Sequence, residues 1–297
     1  MNAAPSLPPQ RIALGITYRV AAMAAVACLW ALAKVAGMRG IPVFEVVFFR
    51  NAFAFVPVGL YIWRTTGIEV LRTQNLSSHL IRSSVGLFSM ACGFAAVARL
   101  PLTEATAFQF AAPLFMTAMS AIFLKEFVGS HRWGAVIVGF IGVLIMARPV
   151  PGHMNIPGVA FALGGALGSA GAMIAIRQMA GAERGATIVF YFTLCGTVLG
   201  AVVSMFNWVT PDPIALAALI GCGLVGGIGQ LLLTEAIRLA PVGVVAPFDY
   251  TQLIWATGLG FLLWGELPGP ATIAGAAVVA ASGVYILHRE IRRFRAG

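Results

Sequence analysis

Long apolar runs alternate with short polar or Pro/Gly-containing breaks along nearly the whole chain. Ten can be read, at 16–36, 42–63, 80–98, 103–124, 133–147, 157–179, 186–206, 214–237, 243–264 and 271–287. A hydrocarbon core about 30 Å thick calls for about 20 apolar residues per helix. Helix is the form such a run must take, because lipid offers no partners for free backbone N–H and C=O groups. The runs at 133–147 and 271–287 are short and are expected to borrow from their flanks. The pattern predicts an all-α membrane protein with ten transmembrane helices. Residues 1–10 are polar and Pro-rich and lack the basic start and small-residue cleavage pattern of a signal peptide. The first run is therefore expected to be retained.

Composition agrees and excludes other classes. Of 297 residues, 60% are hydrophobic and 10% charged, against roughly 25% charged in soluble domains, and mean hydropathy is +0.92. That is too little charge to cover a soluble core, or to make a disordered tail, a solenoid or a disulfide-rich secreted fold. The net charge of +9 is not gathered into a basic patch with interleaved aromatics, so no nucleic-acid partner is expected. Cys28, Cys92, Cys195 and Cys222 lie inside apolar stretches without CxxC spacing, and His79, His131, His153 and His288 lie in or beside loops. No metal site and no cofactor are predicted.

Basic residues orient the spans. With the N-terminus in the cytoplasm, fourteen basic residues fall inside: Arg11, Arg19, Arg64, Arg72, Arg82, Lys125, Arg132, Arg177, Arg184, Arg238, Arg289, Arg292, Arg293 and Arg295. Four fall outside (Lys34, Arg39, Arg99 and Arg148), and Arg50 is left within a span. An odd number of spans would put the basic tail outside. Both termini are therefore expected in the cytoplasm.

The chain also repeats itself. A shift of 140 positions aligns Val85 with Val225, Gly86 with Gly226, Ala96 with Ala236, Pro101 with Pro241, Phe108 with Phe248 and Glu126 with Glu266, without a gap. Earlier in each half, Lys34 in LAKVAG has a basic counterpart in Arg177 of AIRQMA. Each copy holds five spans, an odd number, so the second must thread the membrane in the opposite sense. Inverted repeats of this kind build secondary transporters, with the site at the repeat interface near the midplane. The organisation expected is a cytoplasmic segment at 1–15, five-helix repeats at 16–148 and 156–287, and a basic tail at 288–297.

Two stretches, RLPLTEATAFQFAAPLFMTAMSAIFLKEFVGSHRWGAVIVGFIGVLIMARP and RLAPVGVVAPFDYTQLIWATGLGFLLWGELPGPATIAGAAVVAASGVYIL, resemble the EamA signature of the drug/metabolite transporter superfamily. The matching features are the Pro-containing turn, the following Pro-bearing helix, the Glu at its far end and the Gly-rich last helix. Lys125 stands where Gly is usual before Glu126. The resemblance covers residues 15–290. It implies ten helices in two inverted five-helix halves around a central cavity, with both termini cytoplasmic. PVFEVVFFRN and APFDYTQLIWA are similar to a bacterial subgroup of S-adenosylmethionine or riboflavin uptake proteins, and other relatives export amino acids.

Charged and polar residues within spans mark the candidate site, since burying them costs about 2.5–3.5 kcal/mol for Arg. Arg50 lies about 10 Å into its span at 1.5 Å per residue, followed by Asn51, and suits a substrate carboxylate or phosphate. Its alternative is a structural ion pair with Glu45, Glu104 or another helix. Asp249, Tyr250, Gln252 and Trp255 follow Pro247, whose missing N–H frees backbone groups to line a cavity. Arg50 and Asp249 together would suit a zwitterion. Trp255 reads as a pocket wall, and the other Trp residues as interfacial anchors at span ends. Phe108, Gln109 and Gln230 complete the substrate-binding set. Asp249 and Glu235 are candidate proton carriers, with a local Glu235–Arg238 pair as the alternative for Glu235. Arg19 and Lys34 are near enough to helix ends to snorkel. Glu126 and Glu266 read as structural, and Glu104 as a helix-start carboxylate. The motifs Gly164xxxGly168, Gly196xxxGly200 and Gly223xxxGly227 read as internal packing surfaces ahead of dimerisation, so monomer and homodimer both stay open.

The expectation is a secondary transporter in the inner membrane, moving a small polar or zwitterionic metabolite (an amino acid, S-adenosylmethionine or similar) by alternating access. No GxxxxGK[ST] loop supports ATP use. The alternative is an intramembrane lipid-modifying enzyme, but no HExxH or GxSxG sequence occurs and no catalytic residue is assigned.

Overall fold

The computed structural model describes residues 9–65, 67, 71–73, 75–123, 129–147, 155–179, 183–240 and 242–296. Lys125, Glu126 and Arg148 lie outside these residues, as do the side chains of Arg132, Arg177, Arg238 and the tail from residue 289. Helices α1 (Pro9–Met38), α2 (Val43–Thr65), α3 (Leu76–Val97), α4 (Leu102–Gln109), α5 (Ala112–Phe123) and α6 (Ser130–Ala147) make up the first half. Helices α7 (Ile156–Met179), α8 (Gly185–Ser204), α9 (Pro213–Leu239), α10 (Val242–Val245), a 3-10 turn (Ala246–Tyr250), α11 (Thr251–Trp264) and α12 (Pro270–Ala296) make up the second. Among the described residues, seven helical stretches are long and apolar enough to cross a membrane, and Trp133–Ala147 and Pro270–Ile286 are shorter apolar helices.

Among the described residues, the ten apolar runs thus become ten rods, two of them broken. The fourth run divides between α4 and α5, where the N–H groups of Phe110 and Ala111 turn back to the carbonyls of Ala107 and Phe108 at 3.1 and 3.0 Å. Pro113 follows and has no N–H to continue the ladder. The ninth run divides at the 3-10 turn that contains Pro247. Local chemistry sets the other ends. Asp212 caps α9 by accepting from Ile214 and Ala215 N–H at 2.9 and 2.8 Å, just before Pro213 at the first helical position. Gly265, at φ 67°, closes α11 in a left-handed conformation that a side chain would strain.

The packing is that of two oppositely threaded copies. Helix α1 runs antiparallel to α9, with Gly15 against Ala236 and Ala240 and Gly221 against Leu32. Helix α3 runs antiparallel to α7 in the same way, with Gly158 against Leu100 and Gly171 against Val85. The 140-residue shift carries the first pair onto the second. Helices α6 and α12 cross on their own glycines: Gly139 faces Ser282 and Gly142 faces Val279, two contacts that the shift exchanges. All three small-residue motifs face helices of the same chain: Gly164 and Gly168 against Cys92 and Ser89, Gly196 and Gly200 against Asn51 and Phe48, and Gly223 and Gly227 against Phe53 and Pro57. Glycine lets backbones approach closely there. The end of the bundle where α1 begins is its lower end, and the opposite end is its upper.

Candidate functional site

Arg50 sits seven residues into α2 and is 6% exposed. Its Nη1 donates to Asn51 Oδ1 at 3.0 Å, and Asn51 in turn donates to the Val47 carbonyl at 2.8 Å, against Gly196 of α8. Across from it, Arg82 of α3 is 7% exposed. Both guanidiniums face the ring of Phe192 on α8, with Cζ at 5.8 Å from the centroid for Arg50 and 4.0 Å for Arg82. Gly226 of α9 lets Arg50 lie along that helix, and Gly86 admits Phe192 and the Arg82 head. Four helices, two from each half, therefore surround two cations and one aromatic ring. Nε of Arg50 and both Nε and Nη1 of Arg82 are buried without a hydrogen-bond partner.

Among the described residues, no carboxylate answers these charges. Seven of the ten acidic residues are described, and each is held elsewhere. Asp249 pairs with Arg19, Glu266 with Lys34 at 2.5 Å, Asp212 with Arg39 at 2.5 Å, and Glu183 approaches His79 at 3.5 Å. Glu45 accepts from Val209 N–H at 3.1 Å, Glu235 from the Tyr61 hydroxyl at 2.6 Å and Glu104 from Thr272 at 3.2 Å. The ion pairs that the sequence offered Arg50 with Glu45 or Glu104 do not form.

The predicted residues divide into two groups. Arg50 and Asn51 belong to the cluster just described. Asp249 and Tyr250 have other neighbours: the Asp249 carboxylate takes a two-pronged grip on Arg19, the second contact at 2.6 Å, and the Tyr250 ring packs on Phe110 with centroids 4.9 Å apart. Gln252 is buried in the first turn of α11, Phe108 is buried in the core, and Gln109 reaches the backbone of α7 at Gly165. Gln230 is half-buried on α9, its carbonyl taken by Thr234 at 2.9 Å.

Several expectations are corrected. Trp255 is 42% exposed beside Ile254 on the outside of the bundle, so it faces the surroundings; one turn of α11 separates it from the buried Gln252. Trp30 is no interfacial anchor, since its ring lies over Gly93 and meets Phe94 edge-on at 5.6 Å. Arg19 and Lys34 do not snorkel. Both turn inward to carboxylates that flank α11, and Lys34 also donates to the Leu100 carbonyl at 3.2 Å. Glu266 joins that contact to the start of α4 through Leu102 N–H at 3.0 Å. Arg19, Arg82 and Lys34 thus lie inside the bundle and not at span ends.

Arg82, Phe192, His79 and Glu183 are functional candidates that the sequence reading misses. A signal existed: His79, Arg82 and Gly86 fall at helical spacing on one face. The apolar run that begins at 80 made Arg82 look like an end charge, whereas α3 starts at Leu76. Cavities border the bundle among the described residues. One of about 300 Å³ lies at the lower end among Val58, Tyr61, Arg184, Val189 and Leu231, one turn of α8 below Phe192. One of about 380 Å³ lies among Thr103, Tyr250, Leu253, Thr257 and Thr272. Neither is lined by Arg50 or Arg82.

Residues 13–148 and 156–288 each match the EamA-like transporter family. The chain is 29% identical over 247 residues to the pseudopaline exporter of Pseudomonas aeruginosa, covering 83% of this chain and 86% of the relative. It is 27% identical over 250 residues to the S-adenosylmethionine uptake transporter of Rickettsia prowazekii, covering 83% of each. It is 27% identical over 296 residues to the riboflavin transporter of Rhizobium johnstonii, covering 98% of this chain and 96% of the relative. A solved crystal structure superimposes with a TM-score of 0.65 at 19% identity, over 96% of this chain and 97% of that one.

Proposed function

The chain belongs to the EamA-like transporter family, and on that premise we propose that it carries a small polar organic metabolite across the inner membrane by alternating access, with Arg50 as a contact for the cargo. It is a multi-pass membrane transporter and not an enzyme. The cargo and the mechanism are the proposal.

One observation carries the reading: a guanidinium deep in α2, 6% exposed, with no carboxylate partner among the described residues. An uncompensated charge costs several kcal/mol to hold in a dry interior, so a purely structural role would come with a counter-ion. A cargo that brings its own polar groups supplies what the fold withholds. The relatives include an exporter and an uptake transporter by name, so the family accommodates both directions. A zwitterion would need Arg50 and Asp249 to act together, and Arg19 already engages Asp249. The two candidate proton carriers already have partners, Asp249 in Arg19 and Glu235 in Tyr61.

The test is a thermal-shift screen of purified protein against a metabolite library, followed by uptake of the stabilising compounds into proteoliposomes. Arg50→Gln is expected to abolish uptake while the protein stays monodisperse. Unchanged uptake would remove Arg50 from the cargo site.

A further inference from the structure

We infer that Arg50 and Arg82, clamped against Phe192, form a binding site for a compact oxyanion of the cargo, a carboxylate or a phosphate, and that the protein therefore selects solutes carrying net negative charge. The inference rests on the transport reading and narrows its substrate class.

Two buried guanidiniums in one site are costly. An arginine inside a span carries an insertion penalty, and a like charge beside it adds to that penalty. A cation over an aromatic face recovers only part of such a penalty, and the Phe192 ring is shared between the two arginines. Asn51 accepts from Arg50 through a neutral oxygen, which leaves the charge in place. All seven described carboxylates have other partners. The three donors left without partners, Nε of Arg50 and Nε and Nη1 of Arg82, belong to two side chains on two helices. A single acceptor atom cannot satisfy them, but an oxyanion with two or three oxygens can, because the planar guanidinium matches the spacing of such a group. A zwitterion gains less: its carboxylate would be held, but no free acid among the described residues faces the site to receive its ammonium.

The site also joins the two halves. Arg50 is on α2 and Arg82 on α3, from the first half, and Phe192 is on α8 from the second. An anion held by both arginines neutralises the repulsion between α2 and α3, so the two helices close on a loaded site more readily than on an empty one.

The test uses the purified full-length protein and three sodium salts at matched ionic strength: succinate, phosphate and chloride, with alanine as the zwitterionic comparison. Succinate or phosphate is expected to raise the melting temperature saturably, and chloride and alanine are not. In Arg50→Gln and in Arg82→Gln the half-saturating concentration should rise at least tenfold, while Arg64→Gln, an exposed arginine, should bind as the parent does. If a Gln variant is not monodisperse, Arg50→Lys and Arg82→Lys are read instead. They keep the charge and lose the fork, and the same loss of affinity is expected. The inference is overturned if neither oxyanion stabilises the parent, or if the shift survives in both arginine variants. Either result leaves the transport reading intact, because uptake of a neutral or zwitterionic solute is measured separately. Absence of uptake for every library compound would count against the transport reading and not against the oxyanion site.

Discussion

The rings of Phe110 and Tyr250, one repeat apart at 140 residues, pack edge to face with centroids 4.9 Å apart and planes at 74°. Each stands where its rod breaks, between α4 and α5 and before α11. The shift that aligns Phe108 with Phe248 aligns these two residues as well, so the halves meet on equivalent side chains. Such a pair is worth about 0.5–1.5 kcal/mol beyond the area it buries. Phe110→Ala should destabilise the protein by about 3 kcal/mol through the cavity it leaves, and Tyr250→Phe, which keeps the ring, should cost well under half of that. Equal losses for the two, read by thermal unfolding in detergent, would show that the Tyr250 hydroxyl contributes as much as the ring contact and would contradict this account.

Close approach of α2 to α8 depends on Gly200. A methyl group there would stand 2.7 Å from the Phe48 backbone, and backbone cannot step aside as a side-chain tip can. Gly200→Ala should cost about 1–3 kcal/mol and lower the melting temperature. Gly258→Ala, with nothing within 4 Å of the added carbon, should be neutral. Matching melting temperatures for the two variants would refute this packing.

The Arg19–Asp249 pair joins α1 to the 3-10 turn. Arg19→Gln alone should destabilise by about 2 kcal/mol, below the roughly 3–5 kcal/mol seen for fully buried pairs, because the Asp249 side chain is 36% exposed. Removing both charges in Arg19→Gln/Asp249→Asn should recover most of the loss. A double variant as unstable as the sum of its singles would mean that the two residues act independently.

Asp212 gives the upper end a pH dependence. The N–H of Ala215 first, and then Arg39, hold its carboxyl below the usual carboxylate range. A group whose folded value is depressed contributes stability above its unfolded value, near about pH 3.9, and loses it as pH falls through the folded one. Melting temperature should therefore drop as pH falls below about 4. Asp212→Asn, which can still cap α9, should flatten that part of the profile. An unaltered profile would assign the acid sensitivity to other groups.

The fold was legible in the sequence because apolar length and Pro placement are local signals. The break at Pro247 shows in the proline itself. The break at Phe110–Ala111 is missed by run length alone, although Pro113 offers the same cue. The pairing of charges is not local. Arg19 meets Asp249 and Lys34 meets Glu266 across more than two hundred residues, and spacing along one helix says nothing about such partners. Arg50 is identifiable because it lies in mid-span. Its companion Arg82 is hidden by a run boundary placed four residues late, and Trp255 is misplaced because composition cannot tell the inside of α11 from its outside.

The alternating-access cycle can be tested through the repeat itself. Tyr61 and Glu235 tie the lower ends of α2 and α9 by a 2.6 Å hydrogen bond, and the 140-residue shift carries these positions onto Ala201 and Ala95 at the upper end. The most direct measurement is cross-linking with a short thiol-reactive bridge in a chain whose four native cysteines are replaced, with cysteine pairs introduced by Tyr61→Cys/Glu235→Cys and by Ala95→Cys/Ala201→Cys. Each pair alone should cross-link and stop transport, and in a chain carrying both pairs either bridge should form but never the two in one molecule. Recovery of molecules bridged at both ends would contradict alternating access by these halves.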